Sequence, residues 1–280
     1  EMLVSNKTLK PYTGTSYHSE ELKSLTRYRF ELVKERAKLK TSVSRLVNIL
    51  FPELESLVPT LHMNSVYRLL QELPGAYFIA SSNLTHLKAL LADASKGRYG
   101  REKAIEIREA ARSSIGSLMH DAKSIELRQT IRRIDTLTSD IKEVEQSIQK
   151  IMDECGSPIT TIPGIKYRMG AMILAEIGDF TRFSNADQVL AYAGLSPSTY
   201  QSGQLISSYA RMEKRGSKYL RYALFNAALY VSIWDERFRL YLSKKRAEGK
   251  HYYVAISHVI KKLVRTIFRM EITHTSYQPL

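Results

Sequence analysis

Several features that mark particular protein classes are missing from this 280-residue sequence. Its single cysteine, Cys155, excludes an internal disulfide and a multi-cysteine zinc site, and favours a reducing, cytoplasmic compartment. No apolar run approaches the ~20 residues that a membrane span needs, so we expect no membrane partner. The seven histidines show no metal-ligand spacing. A Walker loop and a dinucleotide-binding fingerprint are also lacking, which argues against those nucleotide-binding enzymes.

Acidic residues are scarce in the second half of the chain. The sequence has 42 Lys and Arg against 28 Asp and Glu, and residues 156–280 carry +10 of the resulting net charge of +14. The same region contains 11 of the 17 tyrosines. This composition favours a polyanion such as nucleic acid as partner, with a basic surface kept for solubility as the alternative. An anionic membrane surface fits less well, because no Lys- and Arg-rich amphipathic helix lies at a terminus.

Apolar residues at helical spacing predict two long helices in the first half. The first has its apolar stripe at Leu25, Leu32, Leu39, Val43, Leu46 and Leu50, and Pro52 stops it. The second begins at about Ala104 or Ser117 and ends at Glu154. Its seam has the 3-4 spacing of a coiled coil: Ile134, Leu137, Ile141, Val144, Ile148 and Ile151. The two seams pair either with each other, as an antiparallel hairpin, or with other subunits.

A change of composition at Gly156 and Pro158 places a domain boundary near residue 155. We therefore predict a mainly α chain. Residues 1–19 form a linker, residues 20–155 a helical, coiled-coil region, and residues 156–280 a small helical domain. Four helices are expected in this last domain. The first ends at Ile177 with Gly178 as its C-cap, and the second runs from its N-cap, Ser184, to Gly194. The third covers Lys218–Ser232 with Ser217 as its N-cap, the fourth covers His251–Glu271, and a polar loop lies at 195–209.

The segment Ile162-Pro-Gly-Ile165 has the form of a helix-hairpin-helix turn. Gly164 would allow a phosphate to approach the backbone, and the next helix would offer it free N–H groups and the positive end of its dipole. Lys166 and Arg168 lie in the first turn of that helix, where cations oppose the dipole, so a bound anion would explain them. A plain turn between two helices is the alternative.

The densest basic cluster comprises Arg211, Lys214, Arg215, Lys218 and Arg221. Gly216-Ser217 interrupts it at a predicted helix N-terminus, so these cations also oppose a helix dipole and predict contact with a nucleic-acid phosphate. A solvated basic face is the alternative.

Ser202 lies before this cluster, in the segment Gln201-Ser-Gly203. A serine hydroxyl needs a base, a metal or strong positive charge to attack a phosphodiester, and the basic cluster could stabilise the pentacoordinate phosphate. By spacing alone, a loop serine without catalytic function is the simpler interpretation. A tyrosine nucleophile is disfavoured, because no tyrosine is accompanied by the Arg and His-x-x-Arg pattern of tyrosine recombinases.

Several segments of the second half occur together: Ile162-Pro-Gly-Ile165, Ala171–Phe180, Leu190–Pro197, Gln201-Ser-Gly203 and Arg215–Arg221. With them, residues from about 158 to 240 resemble the C-terminal domain of the insertion-sequence 110/116/902 transposase family. The resemblance implies a DNA recombinase of mobile elements, related to pilin-gene invertases, in the nucleoid of a bacterium or archaeon. It also implies that Ser202 is the nucleophile, that a bridge RNA guides the enzyme to DNA, and that a coiled coil assembles an oligomer.

The family also combines this domain with an N-terminal RuvC-like domain whose four carboxylates bind metal. The acidic residues near the start, Glu1, Glu20 and Glu21, lack the paired-Asp spacing of that set. We therefore expect the C-terminal part of a transposase, with no cofactor in this chain and Mg²⁺ only in the full-length enzyme. Such a part would bind nucleic acid without catalysis. The competing hypotheses are a helical nucleic-acid-binding module without chemistry, and a coiled-coil scaffold whose basic tail is incidental.

Overall fold

The computed structural model describes residues 17–116, 121–196, 201–202, 205–206, 212 and 214–279, and it confirms a mainly α fold. Its α-helices, in chain order, are α1 (Tyr17–Leu50), α2 (Leu54–Leu57), α3 (Asn64–Glu72), α4 (Ala76–Ser81), α5 (Leu84–Ser95), α6 (Arg101–Arg112), α7 (Asp121–Cys155), α8 (Tyr167–Ile177), α9 (Ala186–Tyr192), α10 (Lys218–Trp234), α11 (Glu236–Ala247) and α12 (Tyr252–Thr273). Short 3₁₀ helices lie at Pro158–Thr161 and Phe180–Arg182. Strand β1 (Gln201–Ser202) pairs antiparallel with β2 (Leu205–Ile206). None of the helices among these residues is long and apolar enough to cross a bilayer.

The internal contacts divide the chain into two units. We call Phe30–Glu143 the hairpin unit, and Glu1–Arg29 together with Val144–Leu280 the C-terminal unit. These limits fall inside both long helices, α1 and α7, whereas the sequence analysis placed the boundary near residue 155. The C-terminal unit thus includes the first turns of α1 and the last turns of α7.

In the hairpin unit, the segments of α1 and α7 run antiparallel. Arg45 forms an ion pair with Glu126 at 2.7 Å, and the guanidinium of Arg36 donates to Thr138 Oγ1 at 3.2 Å. The core includes the predicted stripe and seam residues Val43, Leu46, Leu50, Ile134, Leu137 and Ile141, all of which are buried. These six residues are therefore covered within one chain, as the intramolecular alternative predicts.

Of the two starts predicted for the second long helix, Ala104 is wrong, and Ser117 lies outside the described residues, in which α7 covers Asp121–Cys155. A separate helix, α6, ends at Arg112, because Glu53 binds the segment that follows. One carboxylate oxygen of Glu53 accepts a 2.6 Å hydrogen bond from the Ser114 hydroxyl, and the other accepts one of 3.0 Å from the Ile115 N–H. These tertiary contacts end a helix that the sequence pattern alone would continue.

In the C-terminal unit, α8, α10 and α12 enclose a core rich in small residues. Ala223, Ala227 and Ala228 of α10 are fully buried and allow neighbouring helices to approach closely. A further helix, α11, was not predicted, because Phe238 is its one buried side chain and an apolar stripe is therefore missing. Its N-cap, Asp235, is buried and accepts hydrogen bonds from the Phe238 N–H and the Tyr277 hydroxyl.

Two of the three predicted helix caps are confirmed. Ser217 accepts a hydrogen bond from the Leu220 N–H at the start of α10, and Gly178, with a φ of 70°, follows α8. The cap predicted at Ser184 is wrong by one residue. Asn185 accepts from the Gln188 N–H, while Gln188 Oε1 accepts from the Ser184 N–H. The arrangement differs from a capping box in that Gln188 accepts from the residue before the N-cap, and the Asn185 side chain is the one that reaches the helix N–H group.

Candidate nucleic-acid interface

A buried carboxylate lies at the N-terminus of α10. The side chain of Glu176, on α8, is only 1% exposed, and it accepts a 2.5 Å hydrogen bond from the hydroxyl of the N-cap residue Ser217. Arg27 of α1 binds both oxygens of the same carboxylate, at 2.6 Å and 3.0 Å. Burial alone would raise the pKa of Glu176, but the hydrogen bonds from Arg27 and Ser217 and the charge of Arg27 lower it below its usual value. Glu176 is therefore a charged anchor for the start of α10.

The chain crosses itself just before this helix. The Lys214 N–H donates to the Gly194 carbonyl at 3.1 Å, which joins the two ends of the segment 195–213. A Cβ on Gly194 would lie 1.8 Å from the carbonyl oxygen of Arg215, and one on Gly216 would lie 2.2 Å from that of Tyr192. Both glycines also have positive φ angles, 68° and 108°. Both ends of the segment that carries Ser202 are therefore held close to the start of α10.

Members of the basic cluster differ in their environment. The side chains of Lys214, Arg215 and Lys218 are exposed. The guanidinium of Arg221, by contrast, donates to the carbonyl oxygens of Ala193 at 3.2 Å and Gly216 at 3.1 Å, so it holds the crossing together. Arg211 lies outside the described residues. The structure therefore leaves three cations of the predicted cluster on the surface and gives one a structural contact.

An aromatic ring lies among these cations. The Arg27 guanidinium lies 4.9 Å from the centre of the Tyr219 ring, and the Lys218 ammonium lies 4.8 Å from it. Such cation–π contacts stabilise positive charge at the end of α10 where the helix dipole opposes it. The buried Glu176 offsets this charge further, yet Lys214, Arg215 and Lys218 still present a positive surface at the N-terminus of the helix. This arrangement is suited to binding a phosphate.

The residues around the predicted helix-hairpin-helix turn have structural contacts. The element before the turn is the 3₁₀ helix Pro158–Thr161, and a Cβ on Gly164 would lie 2.8 Å from the backbone of Tyr230. Gly164 is thus needed for the approach of α10. Arg168 forms an ion pair with Glu145 at 2.6 Å, whereas Lys166 is exposed at the N-cap of α8. Gly164 and Arg168 thus have contacts within the protein, and contact of Gly164, Lys166 and Arg168 with nucleic acid stays a prediction.

Ser202 lies in β1, where its backbone pairs with Leu205, and Gln201 pairs with Ile206. The sequence analysis described this region as a polar loop and predicted no strands in it. Residues 203–204 and 207–211, with Gly203 and Arg211 among them, lie outside the described residues. Within the ranges that the structure describes, no group of three His, Cys, Asp or Glu side chains could hold a metal ion.

Sequence reasoning missed the contact between Glu176, Ser217 and Arg27. One signal was present: Glu176 is the single acid in the apolar run Ala171–Ile177, on the face that packs inward. An acid in such a position requires a buried partner. The sequence offered no means of choosing Arg27, which lies 149 residues away.

Comparison with known proteins identifies the region that contains this surface. Residues 156–243 match the family model described as "Transposase IS116/IS110/IS902 family". The chain is 32% identical over 123 residues to the "Insertion element IS110 uncharacterized 43.6 kDa protein" of Streptomyces coelicolor, covering 44% of this chain and 30% of the relative. It is 34% identical over 109 residues to the "Pilin gene-inverting protein" of Moraxella bovis, covering 39% of this chain and 34% of the relative.

A longer match extends into the hairpin unit. The chain is 24% identical over 252 residues to the "Insertion element IS116 uncharacterized 44.8 kDa protein" of Streptomyces clavuligerus, which covers 89% of this chain and 63% of the relative. The chain thus spans between 30% and 63% of the length of these relatives. Residues 156–243 are therefore similar to the domain that the IS116/IS110/IS902 transposase family model describes.

Proposed function

We propose that this chain is part of a DNA transposase of a mobile insertion sequence, and that its C-terminal unit binds DNA and carries the serine nucleophile. The observation that carries the proposal is the crossing at Gly194 and Gly216. It joins the base of the segment containing Ser202 to the exposed cations at the start of α10. The match of residues 156–243 to a transposase family supports DNA as the substrate.

Phosphate contacts supply the binding in this proposal. Lys214, Arg215 and Lys218 are exposed and lie within five residues of one another, next to the helix N-terminus capped by Ser217. Such a surface attracts a polyanion irrespective of base sequence, and the release of counterions makes the affinity depend on salt. Arg221 and Glu176 act indirectly, because they fix the backbone that presents these cations.

The proposed reaction is a transesterification at phosphorus. Ser202 Oγ attacks a DNA phosphodiester, a new Oγ–P bond forms, and the bond from phosphorus to one deoxyribose oxygen breaks. The serine proton passes to a base, and the departing oxygen takes up a proton to become a free hydroxyl. Attack by a hydroxyl of another strand reverses these steps, which restores Ser202 and joins the new strand. The cations of the basic cluster would stabilise the pentacoordinate phosphate.

Mg²⁺, a guide bridge RNA and self-association belong to the proposal by family resemblance. Because the described residues offer no metal-binding group, we assign no step of the reaction to a metal held by them. The seam residues Ile134, Leu137, Ile141, Ile148 and Ile151 are buried within the single chain. An oligomer that keeps this fold would therefore form through other surfaces.

A second candidate function is nucleic-acid binding without chemistry. The lack of a metal-binding group among the described residues favours it for the 280-residue chain taken alone. The two candidates share the phosphate-binding surface and differ in whether the hydroxyl of Ser202 is needed.

The binding proposal is tested by the salt dependence of duplex affinity. We expect the affinity of the chain for a DNA duplex to fall steeply between about 50 and about 200 mM salt. Replacing Lys214, Arg215 and Lys218 by Ala should weaken binding to all sequences alike. It should also reduce the slope of log affinity against log salt by about 2–3, since each phosphate contact contributes about 0.9.

A matched control is available in the hairpin unit. Lys88, Lys96 and Arg98 are exposed, and Lys96 has a φ of 54°, the same as Lys214. Replacing these three by Ala removes the same charge and should leave the slope almost unchanged. Equal losses in the two triple variants would show that only net charge matters, and would contradict an interface at the basic cluster.

A further inference from the structure

Four rings form a cluster on the surface of the C-terminal unit. Tyr253, at the start of α12, is 62% exposed, and its ring stacks on that of Phe225 of α10 at a centroid distance of 6.0 Å and an interplanar angle of 29°. The His251 ring lies 5.7 Å from Tyr253 at 33°, and the Tyr252 ring lies 5.7 Å away, edge to face. Tyr252 is 41% exposed. Tyr252 and Tyr253 of this aromatic cluster therefore remain in part exposed to solvent.

Helix α10 connects this aromatic cluster to the basic cluster. Lys218, Tyr222 and Phe225 are spaced by four and three residues, so they lie along one face of the helix. The rise of the helix puts Lys218 and Phe225 about 10 Å apart along its axis. Tyr222, between them, is 42% exposed. Positive charge and aromatic rings thus follow one another along a single continuous face.

Cations also flank the other side of the rings. The guanidinium of Arg246 donates to the carbonyl oxygen of Lys250 at 2.7 Å, and Lys250 directly precedes His251. Positions 244–250 contain four cations and one acid, Glu248, which pairs with Lys245 at 2.9 Å and lies 4.0 Å from Lys250. No acidic residue occurs among positions 249–261. The rings are therefore bordered by positive charge at both ends, which suits a polyanionic strand better than an apolar protein surface.

We infer that the aromatic cluster, with Tyr222, binds the bases of an unpaired DNA strand whose phosphates contact the basic cluster. In a duplex, the faces of the bases are covered by their neighbours, so exposed rings can stack only on bases that have left the helix. Stacking tolerates any sequence, because every base has a π face. The inference rests on the proposed function, in which strand transfer requires local opening of the DNA.

The test compares single-stranded and duplex DNA of the same sequence, with the full chain, by fluorescence anisotropy at one salt concentration. Tyr253→Ala should weaken binding of the single strand roughly 5- to 20-fold, as expected for the loss of one stacked base. Duplex affinity should change less than about twofold. Tyr253→Phe keeps the ring and should bind as the wild type does, whereas Tyr253→Leu keeps an apolar side chain and should lose affinity like the Ala variant.

Tyr77 supplies the off-site control, because it is 55% exposed and lies in the hairpin unit. Tyr77→Ala should not change the affinity for the single strand. Full affinity in Tyr253→Leu would assign the surface to apolar docking and overturn the inference. The inference would also be overturned if Tyr253→Ala turned an oligomer into a monomer in light scattering. It would be overturned as well if an RNA strand bound about tenfold more tightly than DNA and Tyr253→Ala reduced only the affinity for RNA.

These experiments distinguish a failure of the proposed function from a failure of the stacking inference. If the Lys214, Arg215 and Lys218 variant binds duplex DNA as well as the wild type, the proposed function fails. If that variant behaves as expected and Tyr253→Ala leaves single-strand affinity unchanged, the stacking inference alone is wrong.

Discussion

Ser217 and Glu176 share a hydrogen bond of 2.5 Å that ties the cap of one helix to a buried carboxylate on another. The serine hydroxyl accepts from the Leu220 N–H and donates to Glu176, so it is satisfied in both directions. Arg27 completes the contact with two hydrogen bonds to the same carboxylate. The start of α10, and with it the basic cluster, is therefore positioned by residues from three separate parts of the sequence.

Glu176→Gln should lower the free energy of unfolding by about 1.5–3 kcal/mol, the range for hydrogen bonds to charged groups. The amide keeps the shape of the carboxylate but loses its charge and one acceptor. Urea denaturation of the chain measures the change. Glu126→Gln is the control, because the Arg45–Glu126 pair is exposed and should contribute at most about 1 kcal/mol. Equal effects in the two variants would contradict the role of Glu176 as an anchor.

The contribution of Glu176 should also depend on pH in one direction. Folding lowers its pKa below the usual value of 4.5, so its stabilisation is complete above that value and is lost as the pH falls through the lowered one. The stability difference between wild type and Glu176→Gln should therefore be constant above about pH 5 and shrink below about pH 4.5. Thermal melting at a series of pH values measures it. If the stability difference between wild type and Glu176→Gln grew as the pH fell, it would contradict the lowered pKa of Glu176.

Gly194→Ala should disrupt the crossing before α10. Gly249 provides a matched control, because its φ of 76° is close to the 68° of Gly194, yet nothing lies within 4 Å of a Cβ placed there. Gly249→Ala should cost about 1–2 kcal/mol for the left-handed backbone. Gly194→Ala should cost about 1–3 kcal/mol more for the collision with Arg215, and should weaken duplex binding. Urea denaturation and anisotropy measure the two effects, and equal behaviour of the variants would refute the crossing.

Ile141→Asp should unfold the hairpin unit instead of separating subunits. Ile141 is only 4% exposed, and an unpaired carboxylate in its place would be costly. The exposed neighbour Lys142 is the control, and Lys142→Asp should change stability by less than about 0.5 kcal/mol. Circular dichroism and light scattering distinguish the outcomes. A fully helical Ile141→Asp monomer derived from an oligomeric wild type would restore the seam as an intermolecular contact.

Local patterns predicted those parts of the fold that depend on local physics. The end of α1 before Pro52, the cap at Ser217 and the Gly178 stop follow from the loss of an N–H at proline, side-chain capping and the left-handed freedom of glycine. The end of α6 did not follow, because it is set by Glu53, which lies 61 residues from Ser114. Helix α11 was missed because just one of its side chains, Phe238, is buried.

In the candidate site, too, features visible in the local sequence could be predicted and features set by distant contacts could not. The basic cluster could be identified from composition, since charge is visible in the sequence. Its division into exposed Lys214, Arg215 and Lys218 and structural Arg221 could not, because the carbonyl partners of Arg221 lie at the crossing of two distant segments. Gly164 could be predicted as a position of close approach, but the sequence could not show that the backbone of Tyr230 is its neighbour. Contact of Gly164 with a phosphate stays a prediction.

The most direct test of the account is to locate a covalent bond between the protein and DNA. The chain, joined to the RuvC-like domain that the family resemblance implies, is incubated with element DNA and Mg²⁺, digested, and examined by mass spectrometry. The account predicts a nucleotide attached to Ser202, which persists in Ser198→Ala and is absent in Ser202→Ala, while duplex affinity is unchanged. The 280-residue chain without that domain should form no adduct. An adduct that persists in Ser202→Ala, or that maps to a tyrosine, would contradict the account.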